Sequence, residues 1–410
     1  MARRAAFIFD IDGVLVEPRG YSQAVRATQA YFTRSMRLGD GVLVDGDTYA
    51  LFEACRVTSE WDMVPLALVI LLEEIFERRP ELGQIAGLDA CIQAIRQIPP
   101  ASLPKKIDYR SPIQALGRSI KPGIYPARQI LMSEKRKLQD PKASSDQAPP
   151  LFPALARSRV MEILLAQTRD VGRSPTTRLF QQFSLGSQAF MQTYHLKPDV
   201  ETAGYLLEYD RPLISQGLSN ALIRLNQAGK LALCAYTLRP SLPPREAQVD
   251  QTGYSPEAEM ALDLVHLPAI PLIGYGRIQN LAEHTGRSAE EMIKPSPVQA
   301  IAAILAALTG RELSSLQAAL RIYQAEPFAS DVPVFEDEIS VHIFEDSAGG
   351  IEAMQSAGKI LEQYGMRIQI HPYGIGGNPE KEAALRRLQV PIFPTTEPAV
   401  EAALSTNFNK

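Results

Sequence analysis

Phe7-Ile8-Phe9-Asp10-Ile11-Asp12-Gly13-Val14-Leu15-Val16 is the stretch whose reading decides the fold. Residues Ala5 to Phe9 are apolar without alternation, the pattern of a strand buried on both faces of a parallel sheet. Side chains two apart on an extended segment point the same way, so Asp10 and Asp12 are expected to project together from the strand's carboxyl end. Open α/β sheets bind ligands in the crevice outside those ends. Gly13 lets the chain turn sharply with its backbone close to a ligand. Two carboxylates that close repel, which favours a bound cation or one protonated member. A strand followed by a plain Asp-Gly turn accounts for the same residues, so the rest of the chain must decide.

Further strand-like runs lie in the second half. Leu231 to Tyr236 follows a helical pattern carrying Leu218, Leu222, Ile223 and Leu225, with Gly229 as a left-handed cap at its end. Ile270 to Ile273 is a weaker strand, interrupted by Pro271, and Val341–Phe344, Met366–Ile370 and Val390–Phe393 complete the set. Helical patterns between most of these runs predict βαβ units and a parallel sheet. From about 19 to 215 the character is helical, with Tyr21, Val25, Thr28, Phe32 and Met36 at helical spacing, and similar patterns in 61–76 and 155–165. Segment 99–153 is Pro-punctuated and basic and reads as an extended loop or linker inside that insert. The expected plan is a core of 1–18 and 216–410, with a helical insertion over 19–215.

Composition narrows the partners. At 410 residues, 45% hydrophobic and 21% charged, the chain is long enough for two domains. A formal net charge of -4 predicts neither a nucleic-acid nor a membrane partner. Cys55, Cys91 and Cys234 are scattered and odd in number, which suits free thiols in a reducing compartment rather than disulfides or zinc. The basic Met1-Ala2-Arg3-Arg4 precedes an apolar run broken by Asp10 and Asp12, so no signal peptide is expected. Val64 to Leu72 is too short to span a bilayer. The expectation is a cytoplasmic protein.

Three more polar positions fall where the crevice argument wants them. Thr237 ends the run Leu231–Tyr236, where its hydroxyl can donate to a phosphoryl oxygen or simply begin a turn before Pro240. Lys294 lies between a short helix, with Ser288 and Glu291 as a capping box, and a second helix with Ser296 as cap and Pro297 at its first position. Its ammonium can offset clustered negative charge, or offset only the helix dipole. Glu345 and Asp346 follow Val341–Phe344 and supply the oxygen ligands that magnesium prefers, although Asp346 or Ser347 can also act as a helix cap.

These residues, in this order, resemble the four motifs of the haloacid dehalogenase (HAD) superfamily. Asp10-Ile11-Asp12-Gly13-Val14 is similar to the first and Thr237 to the second. Lys294 with Pro295 and Pro297 is similar to the third, and Glu345-Asp346-Ser347-Ala348-Gly349-Gly350-Ile351 to the fourth. The insert is similar to the C1 cap of the phosphoglycolate phosphatase and β-phosphoglucomutase branch. The run Asp12–Val16, with the later Ser59-Glu60-Trp61-Asp62, resembles a little-characterised hypothetical subfamily of it.

The resemblance implies an α/β Rossmann-like parallel-sheet core with a large, mainly helical C1-type cap after the first strand. It further implies a Mg²⁺-dependent hydrolase of small phosphomonoesters working through an aspartyl-phosphate. Asp10 would be the nucleophile and Asp12 the general acid and base, with Thr237 and Lys294 binding the transferred group. Mg²⁺ would be held by Asp10, the carbonyl of Asp12 and Asp346, with Glu345 direct or through water. The family's dehalogenases lack an acid at the position of Asp12, which favours phosphatase.

The match also has departures. Leu238 and Arg239 stand where many relatives carry a small polar residue; Arg239 reads as a substrate contact or as a surface arginine. The insert is larger than an ordinary C1 cap. Trp61 reads as pocket lining or as helix packing, and Gly374–Pro379 as a turn. A phosphomutase would use the same core residues, and a non-catalytic HAD-fold binding or regulatory protein would not need Asp12. The substrate and the oligomeric state are not encoded in these motifs.

Overall fold

Strand β1, Arg3–Phe9, takes the centre of a sheet because both its faces are apolar. Ala6 and Ile8 enter one core, with the helices Pro297–Thr309, Glu312–Tyr323 and Ala348–Gln363. Ala5, Phe7 and Phe9 enter the other, with Gln216–Gln227, Glu257–Leu264 and Thr396–Phe408. This doubly covered strand is the physical content of an apolar run without alternation.

The structure, a computed structural model, describes residues 3–121, 125–139, 149–325, 338–377 and 379–408. The other described strands are β2 (Val16–Glu17), β3 (Arg211–Pro212), β4 (Leu231–Tyr236), β5 (Leu272–Ile273), β6 (Glu338–Glu345), β7 (Ile368–Ile375) and β8 (Ile392–Phe393). Six strands form a parallel sheet in the order β5-β4-β1-β6-β7-β8. The fold is α/β with a Rossmann-like core. Phe9 is in register with Ala235 of β4 and Phe344 of β6, so Asp10 leaves the sheet between Tyr236 and Glu345. Gly229 has φ +67°, as its capping role requires.

The chain divides into two compact units, Met1–Pro18 with Tyr209–Lys410, and Arg19–Glu208. Residues 209–215, assigned from sequence to the insert, belong to the unit with the sheet: β3 pairs antiparallel with β2, placing Val16 against Pro212 and Glu17 against Arg211. Two residues are too few to show a strand period, so the return of the chain left no signature.

The described residues of the second unit form helices and no strand. The helix Arg19–Ser35 buries Tyr21, Val25, Thr28 and Phe32, and Glu60–Arg78 is apolar nearly all round from Met63 to Phe76. Segment 99–153 departs from the expected linker. Arg110–Ser119 and Pro126–Gln139 are helices that bury Ile113 and Leu116, and Ala127, Ile130 and Leu131. Pro126 sits at a helix start, where the missing N–H costs nothing. Pro122 and 140–148, also in that segment, lie outside the described residues. Trp61 is held within this unit, with the Arg169 guanidinium 5.6 Å from its ring centroid. Among the described residues no helix is long and apolar enough to cross a membrane.

Phe344 stacks on Phe9 at 4.7 Å between ring centroids and is fully buried. Phe344→Ala should therefore lower unfolding free energy by about 3–5 kcal/mol, measured by chemical denaturation. A loss near zero would mean the aromatic layer does not hold the centre of the sheet.

Candidate functional site

Three carboxylates gather at the carboxyl ends of β1 and β6. Asp10, Glu345 and Asp346 each offer an oxygen within 4.8 Å of the others. Such a charge cluster needs a counter-ion, and Lys294 supplies one: its Nζ lies 3.0 Å from Asp10 Oδ1 and 2.7 Å from Glu345 Oε2. The same ammonium sits 4.0 Å from the centroid of the Tyr236 ring.

Lys294 is held from its backbone. Its N–H donates to Gln299 Oε1, while Gln299 Nε2 donates to the carbonyls of Thr237 (2.8 Å) and Ile273 (3.0 Å). One buried glutamine thus ties the lysine loop to the end of β4. Ser296 caps the following helix by accepting from Val298 N–H, with Pro297 at its first position, as expected. The capping box of Ser288 and Glu291 does not form. Ala289–Glu291 is a single 3-10 turn, and the Ser288 hydroxyl donates to Glu290 instead. The Glu291 N–H, which the cap would have used, donates to the Ser288 carbonyl at 3.3 Å in that 3-10 turn.

Glu345 is fully buried and both its oxygens are engaged: Oε2 by Lys294, and Oε1 by Ser347 N–H (3.1 Å) and Ser347 Oγ–H (2.7 Å). Ser347 also caps the helix Ala348–Gln363, accepting from Gly350 N–H. Two glycines make room for the carboxylates. A Cβ on Gly350 would lie 2.0 Å from Glu345 Oε2, and one on Gly13 would lie 2.3 Å from Asp346 Oδ2. Gly13 also has φ +76° in the tight turn at Ile11–Val16, where Leu15 and Val16 N–H both donate to the Ile11 carbonyl.

Burial dominates the proton affinities. It pushes Asp10 up to about 7, helped by the charges of Glu345 and Asp12 and opposed by Lys294. Asp346 is raised to about 6 by burial, against the pull of Lys381. For Lys294, burial acts to lower the pKa, but Asp10 and Glu345 outweigh it and the ammonium holds its proton more firmly than an ordinary lysine.

Asp12 is brought to the same strand end, but its carboxylate lies outside the group of three. It accepts from Arg239, whose side chain is 1% exposed and which also pairs with the buried Asp210. Arg239 is therefore no surface arginine. Thr237 is buried at the end of β4, and its Oγ1 accepts from Arg239 N–H at 3.2 Å. Sequence reasoning missed Gln299, Asp210 and Lys381. Lys381 Nζ, from the helix Pro379–Arg387, reaches Asp346 Oδ2 at 2.5 Å. The signal for it was the Gly-rich stretch. Gly374 belongs to β7 and pairs in register with Glu345, so the chain after it turns beside the acidic end of β6. Gly376 and Gly377 make that turn, and Asn378 lies outside the described residues.

The donor set is all oxygen, clustered and partly offset by ammonium groups, which fits a small hard cation such as Mg²⁺. No family model matches the chain, and no curated protein matches it. An X-ray structure of a Northeast Structural Genomics Consortium target is similar over 98% of this chain and 99% of that chain, with a TM-score of 0.60 and 14% identity. At that identity the likeness shows the fold alone.

Asp10 binds its proton near 7 when folded, against 3.8 for an ordinary aspartate, so the folded protein holds more protons between those values and loses stability as pH rises through them. Asp10→Asn removes that loss. In chelator, its melting temperature relative to the parent should rise from about pH 5 to about pH 8. A difference that stays flat would show that Asp10 is ionised throughout.

Proposed function

We propose that this protein is a Mg²⁺-dependent hydrolase of small phosphomonoesters of the HAD type, with Asp10 as nucleophile. The observation that carries the reading is the meeting of Asp10, Lys294, Glu345 and Asp346, from three distant segments, in one buried charge cluster at adjoining strand ends. Asp12 and Thr237 stand at the neighbouring ends of β1 and β4. A helix cap or a turn explains any one of these positions; neither explains why the carboxylates converge at a cost in buried charge.

In the proposed reaction an Asp10 oxygen attacks phosphorus while the ester P–O bond breaks. The leaving oxygen takes a proton from Asp12, giving the alcohol and a phosphorylated Asp10. Water then attacks phosphorus, gives a proton to Asp12, and releases inorganic phosphate with the Asp10 carboxylate restored. Lys294 and the Thr237 hydroxyl bind the transferred group. Mg²⁺, held by Asp10, Asp346 and the carbonyl of Asp12, would supply the positive charge that lets an anionic nucleophile meet an anionic phosphoryl group. Glu345, with both oxygens already bonded, orients Lys294 and the helix start rather than offering a free ligand atom. Water between Glu345 and the metal is compatible with that arrangement.

The test is a phosphatase screen over a metabolite panel with the parent and Asp10→Asn. Phosphate release should require Mg²⁺, and Asp10→Asn should abolish it; turnover at the parent rate in that variant would remove the covalent mechanism. Asp346→Ala should weaken Mg²⁺ binding, measured by calorimetry. Lys381→Met should strengthen it, because the ammonium on Asp346 Oδ2 competes with a cation for that carboxylate and repels it. Unchanged affinity in both variants would take Asp346 out of the metal site.

A further inference from the structure

Arg239 donates its Nε–H to Asp12 Oδ1 at 2.7 Å, and its Nη2 lies 2.6 Å from the same oxygen in an ion pair. No described residue bonds the other oxygen, Oδ2. The same Nη2 donates to Asp210 Oδ2 at 2.9 Å, so one nitrogen joins the two carboxylates. Arg239 and Asp210 are each 1% exposed at the side chain, whereas Asp12 is 33% exposed. The array is asymmetric: a sealed ion pair behind, and a carboxylate in front with one oxygen tethered and one open.

Its backbone is fixed on every side. Arg239 N–H donates to Thr237 Oγ1, and the Arg239 carbonyl accepts from Tyr275 N–H at 3.0 Å. Asp210 directly precedes β3, which pairs with β2 four residues after Asp12. Leu213 N–H donates to the Leu15 carbonyl at 2.8 Å. The ribbon that places Asp210 is therefore continuous with the turn that places Asp12.

We propose that Arg239, anchored by Asp210, is a positioning residue that engages Oδ1 of Asp12 and leaves Oδ2 to carry the proton to and from the leaving group. This rests on the phosphatase reading above and adds a residue-level claim to it: Arg239 acts through Asp12 and does not contact substrate. The proton on Oδ2 passes to the ester oxygen as the P–O bond breaks, and water returns one to Oδ2 in the second step. A guanidinium suits this task because its rigid plane lets Nε donate to Asp12 while Nη2 donates to the anchor Asp210, a fixed geometry that a point charge does not impose.

The experiment compares phenyl phosphate with p-nitrophenyl phosphate, whose leaving group needs little protonation. Arg239→Met and Asp210→Asn are assayed beside Asp12→Asn and Asp10→Asn, each checked for a parent-like circular dichroism spectrum. Arg239→Met leaves two carboxylates without their counter-charge and serves only if it folds; Asp210→Asn keeps the shape and removes the anchor charge. We expect Asp210→Asn to lower kcat on phenyl phosphate by at least about tenfold, with a much smaller loss on p-nitrophenyl phosphate and KM little changed. In an Asp12→Asn background, Asp210→Asn should add no further discrimination. Equal losses on both esters, or a loss confined to KM, overturn the proposal while leaving the phosphatase reading intact. If Asp10→Asn keeps parent turnover, that reading and this inference fall together.

Discussion

The site depends on one ammonium placed between two buried carboxylates. Asp10 and Glu345 end adjacent strands, and taking both out of water would be prohibitive without Lys294 at 3.0 and 2.7 Å. Much of the neighbouring structure serves that placement. Gln299 fixes the lysine's backbone, Ser347 holds the second oxygen of Glu345, and Gly350 clears the space that Glu345 occupies. The strain is relieved chemically as well, since Asp10 takes up a proton far above the ordinary carboxylate range.

One further arginine of the sheet unit, Arg277, shows how the fold treats buried charge away from the site. Arg277 is fully buried against Glu259 and Glu312, and Glu312 in turn accepts from Leu272 N–H, fixing the edge strand β5. Every partner in that array faces another protein group, and it has no open oxygen aimed at solvent. The Arg239 array shares the chemistry but ends in the part-exposed Asp12. Glu259 is itself 23% exposed but both its oxygens are bonded, so what sets the Arg239 array apart is the open oxygen of Asp12, which the proposed proton transfer uses.

Among the described residues of the helical unit the same rule holds for buried acids. Glu73 accepts from Ala154 and Leu155 N–H, Glu134 accepts from Phe152 N–H, and Asp62 pairs with Arg169 at 2.6 Å. Of these, Glu134 satisfies Phe152 within the segment 99–153 that reads as a linker from its prolines and lysines, and Glu73 satisfies the two residues directly after that segment. Composition misled there because prolines at helix starts look the same as prolines in loops. The stabilising carboxylates come from residues such as Glu73, about eighty positions away in the chain.

The sequence by itself determined the α/β core, the central position of β1 and the three acidic positions at strand ends. Those follow from local rules: an apolar run without alternation, side-chain direction along a strand, and glycine at a positive φ. It did not determine the partners. Arg239 meets Asp12 across 227 residues, and Lys294 meets Glu345 across 51. Nothing within a few positions of Arg239 distinguishes a buried clamp from a surface arginine. Asp210 and Gln299 carry no motif at all, and the Gly-rich stretch before Lys381 marks a turn without naming its partner. Their roles were decided by tertiary structure alone, because parallel register brings the ends of β1, β4, β6 and β7 together, and burial then makes every charge there find a counter-charge.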